Sequence, residues 1–228
     1  MEYTAVILSG GVGSRMNNPI PKQYMLLAGK PMIMHVLEKF ENLASIIQII
    51  IVCEDKYQSY INFMMEQYRI KKPVKFASAG KTRQASVFSG LKLVETEYVI
   101  IHEAARPFVT VEDYQKLINE PCENTILGIS IPFTVIMGHE YVEDLLTRSE
   151  LINVQLPQKF KTKAILEAHT KAEKDETTFT EDASLLYKYN PEVQIKIIPG
   201  KDYNIKITSH IDMLTGEIIY DEIFRGRK

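Results

Sequence analysis

Tyr3-Thr4-Ala5-Val6-Ile7-Leu8-Ser9-Gly10-Gly11-Val12-Gly13-Ser14-Arg15-Met16, followed closely by Pro21-Lys22-Gln23-Tyr24, is the stretch from which the architecture is read. Thr4 to Leu8 is short, apolar and rich in β-formers, so it predicts a buried strand. Three glycines within the next five residues free the backbone to bring amide N–H groups close to an anion. Arg15 and Lys22 add positive charge beside that loop, and a strand feeding such a loop is the build of a nucleotide phosphate site. The spacing is not that of a Walker loop, which needs Gly-x-x-x-x-Gly-Lys-Ser/Thr. Nor is it the dinucleotide fingerprint, because Met16 stands where Gly-x-Gly-x-x-Gly requires its third glycine. A plain glycine turn between strand and helix is the alternative, and it has no need of the two cations.

The 228 residues, 45% of them hydrophobic, suffice for one α/β domain with one sizeable core. A net charge of −2 without like-charge blocks argues against a nucleic-acid partner. Cys53 and Cys122 form no metal spacing or disulfide framework, so a reducing cytoplasm is expected. No leader pattern stands out, and no apolar run approaches the roughly 20 residues that cross a bilayer.

Apolar periodicity predicts helices over Met32–Phe40, Lys56–Tyr68, Thr82–Leu93, Val111–Asn119, Lys161–Ala172 and Asp212–Phe224. It predicts strands over Ile46–Cys53, Val74–Ala77, Tyr98–His102, Ile126–Val135 and Gln194–Ile198. Alternating strands and helices imply right-handed crossovers and a doubly wound, mostly parallel, Rossmann-like sheet. Ligands in such sheets lie beyond the carboxyl ends of the strands. Three loops fall there. The first is the glycine loop. In the second, Ser78-Ala79-Gly80-Lys81-Thr82-Arg83-Gln84-Ala85-Ser86-Val87, Thr82 suits a helix cap, and the helix start can hold an anion or a base edge. The third, His102-Glu103-Ala104-Ala105-Arg106-Pro107, offers a carboxylate for Mg²⁺ or ribose hydroxyls, with His102 read as a packing residue.

Residues from about 133 to 155 do not fit a doubly wound sheet. Met137-Gly138-His139-Glu140 reads as a turn, with Thr134-Val135-Ile136 and Leu151-Ile152-Asn153-Val154 as strands on either side. A protruding β-arm is expected, and its exposed Ile and Val suggest a homodimer that exchanges arms. Thr178-Phe179-Thr180-Glu181-Asp182 reads as a Thr-capped, acid-rich helix start. Asn204-Ile205-Lys206-Ile207-Thr208 reads as a β run whose lysine faces away from its isoleucines. No nucleophile–His–acid pattern suggests covalent hydrolysis, and no aromatic-basic interleave suggests RNA. Cations around a glycine loop plus one carboxylate suit nucleotidyl transfer by positioning and charge neutralisation.

Five of these stretches, in matching order, resemble motifs of the cytidylyltransferases that join CMP to a sugar-alcohol phosphate. The branch is that of the 2-C-methyl-D-erythritol 4-phosphate and ribitol-5-phosphate enzymes. The motifs are Leu8–Met16 with Pro21–Tyr24, Gly80–Val87, His102–Pro107, Thr178–Ser184 and Asn204–Thr208. The resemblance implies a nucleotidyltransferase, glycosyltransferase-A-like fold, with CTP and a polyol phosphate as substrates, a divalent cation such as Mg²⁺, and a homodimer through the arm. It implies catalytic roles for Arg15, Lys22 and Lys206. Nucleotide binding falls to Leu8, Ser9, Gly10, Gly11, Gly13, Gly80, Ser86, Glu103, Ala104 and Arg106. Acceptor binding falls to Thr134, Arg148 and Thr180, and metal binding to Glu103. The chain departs from the pattern at five places. Ala79-Gly80-Lys81 stands where the family often has two glycines and an acidic residue. Glu103 replaces an Asp, and Phe133 replaces a carboxylate in the arm. Leu156 replaces a Thr before Pro157-Gln158, and the acidic pair Glu181-Asp182 is in swapped order. The expected acceptor is 2-C-methyl-D-erythritol 4-phosphate, in isoprenoid precursor synthesis. The alternatives are ribitol 5-phosphate or another wall or capsule polyol phosphate, and a catalytically silent nucleotide-binding protein.

Overall fold

A computed structural model describes residues 1–11 and 20–226. Seven strands form one sheet, in the order β11-β7-β10-β6-β1-β4-β5. They are β1 (Tyr3–Leu8), β4 (Ile46–Cys53), β5 (Val74–Ser78), β6 (Tyr98–Glu103), β7 (Thr125–Ser130), β10 (Ile152–Lys161) and β11 (Lys196–Pro199). β2 (Leu26–Leu27) pairs with β3 (Lys30–Pro31). β6, β1, β4 and β5 run parallel side by side, and β11 is parallel to β7. β10 alone runs against its neighbours β6 and β7. The expected doubly wound, mostly parallel sheet is therefore observed.

Its central strands β1, β4 and β6 are mostly apolar on both faces, as helices on both sides require. Alternation along the chain sends Ala5 and Ile7 of β1, and Ile49 and Ile51 of β4, into one core. Val6, Ile50 and Val52 point into the other. Against the first face lie α1 (Met32–Glu41), α2 (Gln58–Gln67) and α4 (Val111–Asn119). Against the second lie α3 (Arg83–Leu91), α5 (Thr162–Lys174) and α6 (Asp182–Tyr189). α4 carries the predicted cap: Thr110 Oγ1 accepts from Asp113 N while the Asp113 carboxylate accepts from Thr110 N.

Four expectations need correction. The arm is a hairpin of β8 (Ile136–Gly138) with β9 (Val142–Leu145), not of residues 134–136 with 151–154. Ile152 to Val154 instead pair with Ser130 to Gly128 in the main sheet, so the projecting part is shorter than expected. β7 also stops at Ser130, before Pro132, which has no N–H to give a ladder. The start of α6 is capped by Glu181, whose carboxylate accepts from Ala183 N and Ser184 N, and not by a threonine. A carboxylate there also suits the positive end of the helix dipole. Finally, Asn204 to Thr208 is irregular rather than a strand. It is tied down by Ile207 N donating to Ala105 O at 2.9 Å and by Ile207 packing with Leu27, Met32 and Phe108. Burying one isoleucine was enough to produce the alternating look without a strand partner. α7 (His210–Tyr220) and a π-helical turn over Asp221–Arg225 complete the described chain.

Candidate active site

The carboxyl ends of β1, β5 and β6 meet along one edge of the sheet, with Leu8 in register beside Glu103. A cleft of about 350 Å³ opens there, walled by Leu8, Ser9, Gly10, Gly11, Lys22, Gln23, Gly80–Arg83, Ser86, Glu103, Ala105 and Lys206. A larger hollow of about 520 Å³ lies at the other ends of the strands, around Met1, Tyr3 and Tyr98. We place the site in the smaller cleft, because crossover topology opens αβ sheets at their carboxyl ends and the cations gather there.

The first loop is held by Gln23, whose Nε2 donates to Ser9 O at 2.6 Å and to Gly11 O at 3.0 Å. Ser9 Oγ donates to the Tyr24 hydroxyl at 3.2 Å. These bonds fix the short helical turn carrying Lys22 against the glycine loop. Gly10 is required by close approach: a Cβ there would sit 2.3 Å from Ala79 Cβ. Gly80 is required likewise, with a Cβ meeting Ala85 Cβ at 2.5 Å. Ser86 Oγ accepts from Gly80 N at 3.0 Å and donates to Thr82 O at 2.9 Å, closing the second loop onto α3. Thr82 caps α3 through Ala85 N, as its sequence position predicts.

Glu103, only 5% exposed, sits at the floor. Lys206 Nζ lies 2.9 Å from both its oxygens, and Arg83 Nε 3.1 Å from Oε1. Arg106 Nε faces Oε2 at 3.5 Å, without a well-directed hydrogen bond. Burial alone would raise the Glu103 pKa, but Lys206, Arg83 and Arg106 outweigh it and hold the carboxyl down at about 2. Arg83 continues to Asp182, its Nη2 donating to Oδ2 at 2.7 Å, and Asp182 Oδ1 lies 3.2 Å from His169 Nε2. Burial pushes the Asp182 carboxyl up, but the Arg83 guanidinium and the His169 hydrogen bond bring it net below the usual range. His102 is fully buried, its Nε2 3.0 Å from Arg106 O, and burial lowers its pKa to about 3. It is a neutral packing residue.

Of the residues singled out from sequence, Leu8, Ser9, Gly10, Gly11, Lys22, Gly80, Ser86, Glu103 and Lys206 line this one cleft. Gly13 and Arg15 lie outside the described residues. Ala104 is fully buried and its N–H donates to Leu8 O at 3.0 Å, so Ala105 reaches the wall in its place. Arg106 stands behind the wall, with Nη1 donating to Asn204 O at 3.0 Å and so bracing the Lys206 segment. Thr134, Arg148 and Thr180 are exposed and off the cleft; Arg148 Nη1 is 3.4 Å from Pro132 O on the arm. Arg83, Asp182 and Gln23 are participants the sequence did not assign. All three lay inside quoted motifs, but the pairing of Arg83 with Asp182 spans 99 positions and has no local signature.

Glu103 is the only carboxylate on the cleft wall among the described residues. No group of three His, Cys, Asp or Glu side chains among them is arranged to hold a metal. No described helix is long and apolar enough to cross a membrane. Among the described residues the site is thus a cationic cradle with one acid and no hydroxyl paired to a histidine base, suited to holding a polyphosphate.

Comparison with known proteins agrees with this geometry. Residues 3–222 match the family model of 2-C-methyl-D-erythritol 4-phosphate cytidylyltransferase. The chain is 37% identical to the enzyme of that name from Clostridium novyi, with 96% of each chain covered. It is 35% identical to the one from Geobacillus thermodenitrificans, covering 96% of this chain and 97% of the relative. The crystal structure of 4-diphosphocytidyl-2C-methyl-D-erythritol synthase from Anaerococcus prevotii superposes with a TM-score of 0.84 at 26% identity, over 95% of each chain. The cationic cleft, the sheet that builds it and these matches over nearly the whole length lead to one conclusion: this chain belongs to the 2-C-methyl-D-erythritol 4-phosphate cytidylyltransferase family.

Proposed function

We propose that the protein is a CTP-dependent cytidylyltransferase that joins CMP to 2-C-methyl-D-erythritol 4-phosphate and releases pyrophosphate, a step of isoprenoid precursor synthesis. The observation that carries the reading is the convergence of Lys22, Lys206 and the Ser9–Gly11 loop on one cleft at the tip of β1. CTP lies with its triphosphate against that loop and its base toward Gly80 and Ser86. An oxygen of the acceptor phosphate attacks the α-phosphorus in line. The new P–O bond forms as the bond to the β-phosphate oxygen breaks, and its electron pair leaves with pyrophosphate. Lys22 and Arg15 stabilise charge on the transferring and leaving groups, and Lys206 holds the α-phosphate. Because Lys22 and Lys206 already line the cleft, they cost little reorganisation when charge develops.

Glu103 has two supportable partners, the ribose hydroxyls and a divalent cation. A single carboxylate with phosphate oxygens as the remaining ligands fits the way Mg²⁺ is usually held at nucleotides. When bound there, Mg²⁺ would neutralise phosphate charge. Thr134, Arg148 and Thr180 orient the acceptor phosphate, the first two from the arm of a partner subunit in a homodimer. Neither Thr134 nor Arg148 lines the cleft of its own chain, which supports this division, as does the exposure of Phe133, Tyr141, Val142 and Leu145 on the arm. The reaction is assigned to the cytoplasm.

The test is pyrophosphate release from CTP with a panel of polyol phosphates. Release with 2-C-methyl-D-erythritol 4-phosphate is expected. Release only with ribitol 5-phosphate would move the chain to the other acceptor, and CTP binding without release from any acceptor would make it a silent nucleotide binder.

A further inference from the structure

Arg83 reaches from the cleft wall to a buried Asp182–His169 pair outside the cleft. Its guanidinium is held at two points. Nε donates to Glu103 Oε1 at 3.1 Å and Nη2 to Asp182 Oδ2 at 2.7 Å. Nη1 is buried and hydrogen-bonded to nothing among the described residues. Asp182 is 1% exposed and His169 equally buried, with His169 Nε2 3.2 Å from the second Asp182 oxygen. Phe88 stacks on the His169 ring with centroids 5.9 Å apart, so the imidazole has a fixed seat.

The neighbouring residue of α3 fixes the place of Asp182. Gln84 Nε2 donates to Thr177 O at 3.0 Å, and Phe179 N donates to Gln84 Oε1 at 2.7 Å. Two consecutive side chains in the first turn of α3 therefore grip residues 177–182. A buried carboxylate costs desolvation, and a structural pair of this kind often adds little net stability. Two buried polar partners, Asp182 and His169, in line behind one cleft arginine are better explained by what they do to that arginine. Without Asp182, Arg83 would have Glu103 as its sole anchor and would compete with Lys206 for the same oxygens.

We propose that Asp182, backed by His169, is a positioning residue: it holds Arg83 on the cleft wall so that Glu103 stays with Lys206 and the cationic wall is preset for the nucleotide. This rests on CTP being the nucleotide. Asp182 itself touches no substrate and acts through Arg83.

The experiment is CTP titration calorimetry on the full chain with Mg²⁺ present, alongside pyrophosphate release, for wild type, Asp182→Asn, Arg83→Gln and the double variant. Asp182→Asn should weaken CTP binding about tenfold, the scale known for losing an outer partner that orients a metal-binding side chain. Arg83→Gln should weaken it at least as much. The double variant should bind no more weakly than Arg83→Gln alone, because Asp182 has nothing left to position. Additive losses in the double variant would overturn the proposal, as would Asp182→Asn with unchanged CTP affinity and only a lowered melting temperature. If Asp182→Asn does not fold, Arg83→Gln decides, since full CTP affinity in that variant overturns the proposal. A wild type that neither binds CTP nor releases pyrophosphate overturns the proposed function together with this inference. A wild type that does both, with additive variants, overturns the inference alone.

Discussion

Replacing Glu103 with glutamine keeps the side chain's size and removes its charge from beneath three cations. Lys206 and Arg83 lie at 2.9 and 3.1 Å and Arg106 at 3.5 Å, so they are left facing one another. The carboxyl falls from its ordinary 4.5 to about 2 in the folded chain. At about 1.4 kcal/mol per pH unit, this corresponds to about 3 kcal/mol of stability at pH 7. The figure sits at the lower edge of the roughly 3–5 kcal/mol for breaking a buried ion pair, as it should, because Lys206 is partly exposed and screened. The sign follows from the depressed pKa. The stabilisation is complete above 4.5 and is lost as pH falls from there towards 2. Urea unfolding at pH 7 should show Glu103→Gln less stable than wild type by about 3 kcal/mol, and at pH 3 the gap should shrink to about half or less. A gap under about 1 kcal/mol at pH 7, or one that does not change with pH, would refute the reasoning that these cations converge on the carboxylate.

Two further outcomes are expected. Gly10→Ala pushes a methyl to within 2.3 Å of Ala79 Cβ, so the first two loops must part; chemical unfolding should report a loss of about 1–3 kcal/mol, with a raised KM for CTP. Arg148→Ala should raise the KM for the polyol phosphate about tenfold and leave the KM for CTP unchanged in steady-state assays, since the proposal gives it to the acceptor alone.

Much of the fold is legible because both faces of the sheet are covered. Ile46–Cys53 and Thr4–Leu8 are apolar but for Gln48 and Thr4, and this admits few readings other than buried strands. The Thr110–Asp113 cap is equally plain, because its partners lie three residues apart. The arm is less legible. Ile152–Val154 has the residues of a hairpin strand, and only the antiparallel return to β7 decides that it belongs to the main sheet. At Asn204–Thr208 the predicted facing of Lys206 agrees with its approach to Glu103 while the predicted strand is absent. One buried isoleucine orients a segment as well as a ladder would. The Arg83–Asp182–His169 line could not be read at all, since it joins three helices whose sequences carry no mutual spacing.

The most direct measurement is single-turnover pyrophosphate release by Lys206→Ala and Lys22→Ala at saturating CTP and 2-C-methyl-D-erythritol 4-phosphate. Removal of either cation should slow the step by roughly 10²–10³ while the chain stays folded. Turnover within threefold of wild type in both variants would contradict the claim that these two lysines act together on one triphosphate.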